Sequence, residues 1–401
     1  MTKMLNAGSS EYTNKKVLGI ITEYNPFHFG HEYQLHALRE KVQADVIIVL
    51  MSGNVVQRGE YAIASKWARA EAALSSGADL VLEAPLVASL QSADYFAAHN
   101  VRTLHELGVD VLGFGTETAN ESDLLTYAHW HANQIEAIDM SVKQYLAEGF
   151  SYPASYQKAL DDLNPPVNFD TTSPNHLLGI QYVAYNETLE QKLDFVTLPR
   201  VENWKGVDVL SGSQIRQALE QEFDHSVVPQ VMADQLEQSS LMNWNHAFPF
   251  LKFRLAQHTP DTLQEIWGVR EGIENLILRV YKASKSYDEL ISNLVSKRWS
   301  KASIQRILMA VLLDITVNVW QQMMADFRKE PTVQLLGFTD AGRSYLNQIK
   351  NQTSVNIISN INQSTADQFR GNLRADGILE IIQAGTLTEQ NFTKYPIVKR
   401  K

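Results

Sequence analysis

Two histidines three residues apart, His28 and His31, stand in the run EYNPFHFGH (Glu23–His31), directly after an apolar segment. Residues three apart share one face of a helix, so both imidazoles can donate hydrogen bonds to the same phosphate group. Asn25-Pro26 predicts a turn, and Gly30 leaves room between the rings for a nucleotide to approach the backbone. This grouping suits nucleotidyl transfer, in which an acceptor oxygen attacks the α-phosphate of a nucleoside triphosphate and pyrophosphate leaves. Such chemistry rests on positioning and on stabilising charge at the phosphoryl oxygens, which helix-terminal amides and imidazole donors supply. Magnesium is expected to neutralise the leaving pyrophosphate. No nucleophilic side chain is required. The 401-residue chain has no cysteine, which excludes a disulfide framework, a cysteine nucleophile, a thioester intermediate and a thiolate zinc site.

The elements that must hold these residues are legible upstream and downstream. VLGIITEY (17–24), DVIIVLMSG (45–53), DLVLEAP (79–85) and DVLGFGTE (110–117) are nearly continuous apolar runs, as in strands covered on both faces. Amphipathic stretches begin near His31, Ser65 and Ser92. This alternation predicts an α/β fold with a doubly wound parallel sheet, whose ligand crevice opens at the carboxyl ends of the strands. The histidine run sits at the first such end, where a helix N-terminus favours phosphate. LDFVTLPR (193–200) reads as a further parallel strand feeding SGSQIRQAL (211–219), with Ser211 or Ser213 as helix cap.

A polar stretch near 224–240 suggests a boundary, giving a nucleotide-binding domain over 16–230 and a mainly helical domain over 231–401. VQLLGF (333–338) and SVNIISNI (354–361) are expected as short strands in the latter. Residues 1–15 read as a flexible leader rather than a secretory signal. With no run of about 20 apolar residues, the sequence predicts a soluble protein without a membrane partner.

The formal charge of −10 is unevenly divided. Residues 1–240 carry 15 Lys+Arg and 31 Asp+Glu, whereas residues 241–401 carry 20 and 14. The basic half can receive a polyanion on one end only. There, Lys297, Arg298, Lys301 and Arg306 cluster with Trp299 on a predicted helix, a composition suited to phosphate contact and base stacking.

The runs GIITEYNPFHFGHEYQL, MSGNVVQRGEYAIASKWARAEAAL, DLVLEAP, LGFGTE (112–117), SPNHLLGIQYV (173–183), SGSQIRQAL and KRWSKASIQRILM (297–309) together carry a resemblance that spans most of the chain. The sequence resembles the bacterial tRNA(Met) cytidine acetate ligase family, within the HIGH-type nucleotidyltransferase superfamily of Rossmann-like folds. The resemblance implies a cytoplasmic enzyme with ATP as co-substrate and acetate and elongator tRNA(Met) as partners, and no DNA. Acetate would be activated as acetyl-adenylate and passed to the exocyclic amine of the wobble cytidine, giving N4-acetylcytidine.

The same resemblance assigns the ATP surroundings to Ile21, Thr22, Glu23, Tyr24, Asn25, Pro26, Phe27, His28, Phe29, Gly30, His31, Glu32, Tyr33 and Gln34, with Gly115, Asn175, Arg200 and Val201. His28 and His31 would be catalytic. Related enzymes often place a Ser-Ser/Thr-x-x-Arg segment over the triphosphate. Ser211, Ser213 and Arg216 fit that role, although Gly212 replaces the second hydroxyl residue. Arg58, Lys66 and Arg69 are further candidates for anion contact. Glu23 and Glu83 lie near strand ends, but the sequence selects no magnesium ligand. Two other readings stay open: adenylation of a small phosphorylated metabolite, and a noncatalytic RNA-binding factor.

Overall fold

The structure, a computed structural model, describes residues 15–116, 121–150, 152–167, 174–221, 223–238 and 241–400. The leader therefore lies almost wholly outside the described residues, as does Glu117 at the end of the fourth apolar run.

Five strands form a parallel core: β1 (Val17–Thr22), β2 (Val46–Ser52), β3 (Leu80–Ala84), β4 (Val111–Thr116) and β5 (Asp194–Pro199). Their spatial order is β3-β2-β1-β4-β5, so the sheet reverses direction of growth at β1. Alternate side chains point to opposite faces, and both faces are covered. In β2, Val46, Ile48 and Leu50 join one apolar cluster while Ile47, Val49 and Met51 join the other. That is why these strands read as unbroken apolar runs.

Helix α1 (Phe29–Val42) follows β1, and α2 (Lys66–Ser75) lies between β2 and β3. Leu35 and Leu38 of α1, with Trp67, Ala70 and Leu74 of α2, cover one sheet face. A short antiparallel pair, β6 (Asn203–Trp204) and β7 (Val207–Asp208), follows β5.

The sheet does not stop at the boundary expected near residue 230. Strand β8 (Thr332–Thr339) pairs antiparallel with β3, while β9 (Asn356–Ile358) and β10 (Ile397–Lys399) pair parallel with β8. The two runs expected as strands thus form β8 and β9, and with β10 they extend the first sheet to eight strands instead of standing apart. The pairing covers the backbone edge of β3, which would otherwise expose unpaired amides and carbonyls. The rest of the C-terminal region is helical, including helices Lys301–Leu312, Val317–Lys329 and Arg370–Ala384. Among the described residues no helix is long and apolar enough to cross a membrane.

Candidate nucleotide-binding site

The carboxyl end of β1 delivers the chain into a tight bend. Tyr24 takes φ +48°, and the Asn25-Pro26 peptide is cis. The Oδ1 of Asn25 accepts from the Ile63 amide at 2.8 Å, and its carbonyl accepts from Arg216 Nη1 at 2.5 Å. Behind the bend, Arg69 of α2 is fully buried. Its guanidinium donates to the carbonyls of Glu23, Ser52, Gly53 and Ala64 at 2.6 to 3.1 Å. Arg69 therefore braces the ends of β1 and β2 from inside and is closed off from any anion. Lys66 is likewise buried, held by Glu83 and Asp376 at 2.6 and 2.8 Å. Glu83 has no solvent exposure, so it faces this internal cluster and not the crevice.

His28 is the N-cap of α1. Its Nδ1 accepts from the Gly30 amide at 3.1 Å, and the Nδ1 of His31 accepts from the His28 amide at 3.3 Å, which closes a reciprocal cap. The two rings stack with centroids 3.7 Å apart. Both are neutral at pH 7. Burial, followed by the charges of Arg200 and Arg216, pushes His28 down to about 3. Burial, then His28 and Arg200, holds His31 well below the usual imidazole range. A neutral ring whose Nδ1 accepts carries its proton on Nε2. The site thus presents two Nε2–H donors, with no hydrogen-bond partner among the described residues, inside the positive field of Arg200 and Arg216.

Gly30 serves the capping geometry directly. A Cβ there would lie 2.9 Å from Cε1 of His28 and 3.1 Å from Cγ1 of Val209. The side of this glycine on which a Cβ would stand is taken by the His28 ring and the segment after β7. Gly212 has a comparable reason: its Cβ would meet the Asn25 carbonyl oxygen at 2.8 Å. This close approach explains why a second hydroxyl residue is missing from SGSQIR, and it lets Arg216 reach the bend. Ser211 caps the short helix Gly212–Ala218, its hydroxyl donating to Gln214 Oε1 at 2.8 Å, whereas Ser213 is exposed.

Within Ile21–Gln34, the side chains of Ile21, Tyr24, Asn25, Pro26, Phe27 and Glu32 are buried and form the support. Phe27 and Tyr24 pack on each other and on His31, with ring centroids 4.6 to 5.6 Å apart. Thr22, Glu23, Phe29, Tyr33 and Gln34 are half-buried. The Glu23 carboxyl accepts from the Gln57 amide at 2.8 Å, and burial pushes its pKa up against that bond. Gly115 is the penultimate residue of β4 and lies beside Gln34, where an added Cβ would meet nothing closer than 3.7 Å. Asn175 stands in the first turn of helix Pro174–Asn186, while Arg200 is exposed and Val201 half-buried after β5.

Two supports escaped the sequence. Lys205, in the β6–β7 turn, holds Glu32 at 2.6 Å, and Trp204 packs edge-on against Tyr33. Gln57 reaches Glu23 from the loop after β2. Neither carries a local signal, because each depends on pairing between distant segments.

The depressed imidazoles make a stability prediction for the ligand-free protein. Between pH 6.5 and about 3 the unfolded chain binds protons at position 28 that the folded chain refuses, so stability falls as pH falls through that window. Denaturant midpoints measured from pH 7 to pH 4 are expected to drop less steeply for His28→Asn than for the parent.

A family model described as HIGH Nucleotidyl Transferase matches residues 15–394. A tRNA(Met) cytidine acetate ligase of Latilactobacillus sakei is 34% identical over 397 residues, covering 95% of this chain and 97% of its own length. The chain belongs to the HIGH nucleotidyltransferases, among the tRNA(Met) cytidine acetate ligases. Within that ligase family, a Staphylococcus aureus member (strain JH9) is 36% identical over 392 residues, covering 94% of this chain and 98% of its own. The crystal structure of Thermotoga maritima TmcAL bound with alpha-thio ATP superposes with a TM-score of 0.84 at 25% identity, covering 96% of this chain and all of that one. The doubly wound sheet and the helical C-terminal region are therefore those of the ligase family.

The C-terminal basic residues are arranged differently from the expected helix face. Lys297, Arg298 and Trp299 precede helix Lys301–Leu312, which starts after the Ser300 cap. Lys297 donates to the Gly149 carbonyl at 2.7 Å, and Arg298 faces Glu271 at 3.8 Å. Trp299 is 7% exposed, so it is no free stacking platform on the outer surface. Lys301 is exposed and Arg306 half-buried.

Proposed function

We propose that this chain is an ATP-dependent tRNA(Met) cytidine acetate ligase acting in the cytoplasm. One observation supports it most: two neutral imidazoles at the carboxyl end of β1, each with its proton on Nε2, in the field of Arg200, with Arg216 acting on His28 as well. An acetate oxygen attacks the α-phosphorus, the new O–P bond forms, and the bond to the β-phosphate bridge breaks with its electron pair leaving on pyrophosphate. The Nε2–H groups of His28 and His31 donate to the phosphoryl oxygens as charge grows there, with the α1 N-terminus behind them. Arg200 and Arg216 supply fixed positive charge, and Gly115, Asn175 and Val201 line the nucleotide.

In the second half-reaction the cytidine N4 attacks the acetyl carbonyl and AMP leaves, while N4 gives up a proton. Mg2+ is expected to arrive with the triphosphate and offset the charge of the departing pyrophosphate. Among the described residues no three His, Asp or Glu side chains are grouped to hold a metal, and the Glu23 carboxyl is engaged by the Gln57 amide.

The test incubates purified protein with ATP, labelled acetate and separate tRNAs. Acetate-dependent pyrophosphate release without RNA, and label on the wobble cytidine of elongator tRNA(Met), are the expected results. Release that depends on a phosphorylated metabolite instead, or none at all with RNA binding retained, would overturn the reading. The region 231–401 is proposed to receive the tRNA. Lys301→Gln and Arg306→Gln are each expected to raise the tRNA KM several-fold, lower the salt slope of binding by about one, and leave acetate-dependent ATP–pyrophosphate exchange near the parent rate.

A further inference from the structure

Linked to the nucleotide site through Gln57 lies a separate cavity of about 510 Å³ that includes none of the residues assigned to ATP. Its walls come from Gln91 and Ser92, between the helices Leu86–Ser89 and Ala93–Glu106, from Tyr95, the indoles of Trp267, Trp299 and Trp320, and the helices Lys301–Leu312 and Val317–Lys329. We infer that this cavity holds one unstacked nucleotide of the RNA substrate, distinct from the base that is acetylated; the inference rests on the ligase reading above.

Three observations carry it. First, the walls combine flat aromatic surface with cations. Trp267 and Trp320 stack at 3.7 Å and 16°, Tyr95 stands 53% exposed, and Arg270, Arg306 and Arg328 all border the space. A base face can stack on the exposed Tyr95 ring over an apolar floor of indoles, and guanidinium groups take the phosphate and the base edge. Second, Arg306 is half-buried against the cavity and has no ion pair or hydrogen bond among the described residues. Burial pushes it down to about 10, partly offset by Asp94, so it remains charged at neutral pH. A desolvated guanidinium without an acceptor is costly unless an anion joins it. Third, the cavity is tied to the catalytic end of β1. The Gln57 amide binds Glu23, and its side chain donates to the Gln91 carbonyl at 2.6 Å. An RNA loop with one base at the histidines can lay another of its nucleotides at the far end of this Glu23–Gln57–Gln91 link. The volume falls within the range that encloses a small organic ligand, about 300 to 1,000 Å³, and Gln321, Ser92 and Ser303 offer donors and acceptors to any base edge.

The decisive variants avoid the core. Tyr95 and Arg328 are exposed at the rim, so Tyr95→Ala, Arg328→Gln and the double variant should fold. Acetylation is measured against tRNA concentration, with acetate-dependent ATP–pyrophosphate exchange as the check that each protein is intact. Loss of one stacked base and one charge contact should raise the tRNA KM by about tenfold or more in the double variant, with kcat changing less than KM. Tryptophan emission of the parent should be quenched by a single-stranded RNA heptamer, and less by free CMP or AMP. An unchanged tRNA KM in the double variant overturns the inference. So does quenching saturated by free nucleotide that tRNA cannot displace, which would mark a small-nucleotide site. Absence of acetate-dependent exchange in the parent would instead refute the ligase reading.

Discussion

His28→Asn is expected to reduce acetate-dependent ATP–pyrophosphate exchange by about 10²- to 10³-fold while leaving the fold intact. The two nitrogens of this ring have separate duties. Nδ1 accepts from the Gly30 amide and caps α1; Nε2 carries the hydrogen offered to the phosphoryl oxygen. Asparagine places an acceptor near the Nδ1 position and is a good cap, so the helix start survives. It cannot reach as Nε2 does. His28→Gln carries an amide donor further out but caps poorly. Asparagine should therefore preserve stability and lose rate, whereas glutamine should lose about 1 kcal/mol of stability and recover part of the rate. His31→Asn should show a similar loss, since the stacked rings act on one group. Near-parent exchange in a folded His28→Asn protein would remove the imidazole from the chemistry. Because both rings stay neutral well below pH 6.5, the pH profile of the exchange rate should show no inflection from them near 6.5.

How much of this could be read from the sequence depends on how local the cause was. The histidine pair, the bend and the cap lie within nine residues, so their types and spacing carry the message. β1 to β5 were legible because two-sided burial leaves continuous apolar runs in the chain itself. For β8 and β9 the strand character was visible, but their place was not: VQLLGF says that a strand is buried and nothing about which edge buries it. Its partner β3 lies some 250 residues earlier, and backbone hydrogen bonds leave no side-chain signature. The cations misled for a related reason. A lysine or arginine in an amphipathic run is normally solvated or waiting for an anion, yet Lys66 and Arg69 are the chain's own internal braces, answered by carbonyls and carboxylates far away in sequence. Trp299 shows the same limit. Its neighbours marked it as part of a basic outer face, but the helix starts only after the Ser300 cap, and the indole is buried.

Lys66→Met should destabilise the protein by about 3–5 kcal/mol, well above the usual effect of a point substitution. The ammonium sits at 1% exposure, its three N–H groups shared among side-chain oxygens of Glu83, Gln334, Asp376 and Asn391, all within 3.0 Å. Those partners come from β3, β8, helix Arg370–Ala384 and the helix Gln390–Thr393, so one cation joins the parallel core to β8 and to two C-terminal helices. Burial lowers its pKa, but the nearby carboxylates of Asp376 and Glu83 outweigh that, and the net direction is up. Removing the charge leaves two carboxylates facing each other without water. Glu83, already held up by burial against the pull of Lys66, would then take a proton. Methionine fills similar volume, so the loss reports the charge and not a cavity. If this is the cause, Lys66→Met combined with Glu83→Gln and Asp376→Asn should recover much of the stability, since neutral amides need no counter-charge. Denaturant unfolding of the single and triple variants measures both effects. A single variant within 1 kcal/mol of the parent would show that the cluster does not bind the two halves of the sheet together. A single variant that unfolds early at its C-terminal strands, seen as rapid amide exchange in β8 and β10 while β1 and β2 stay protected, would locate the loss at the junction itself.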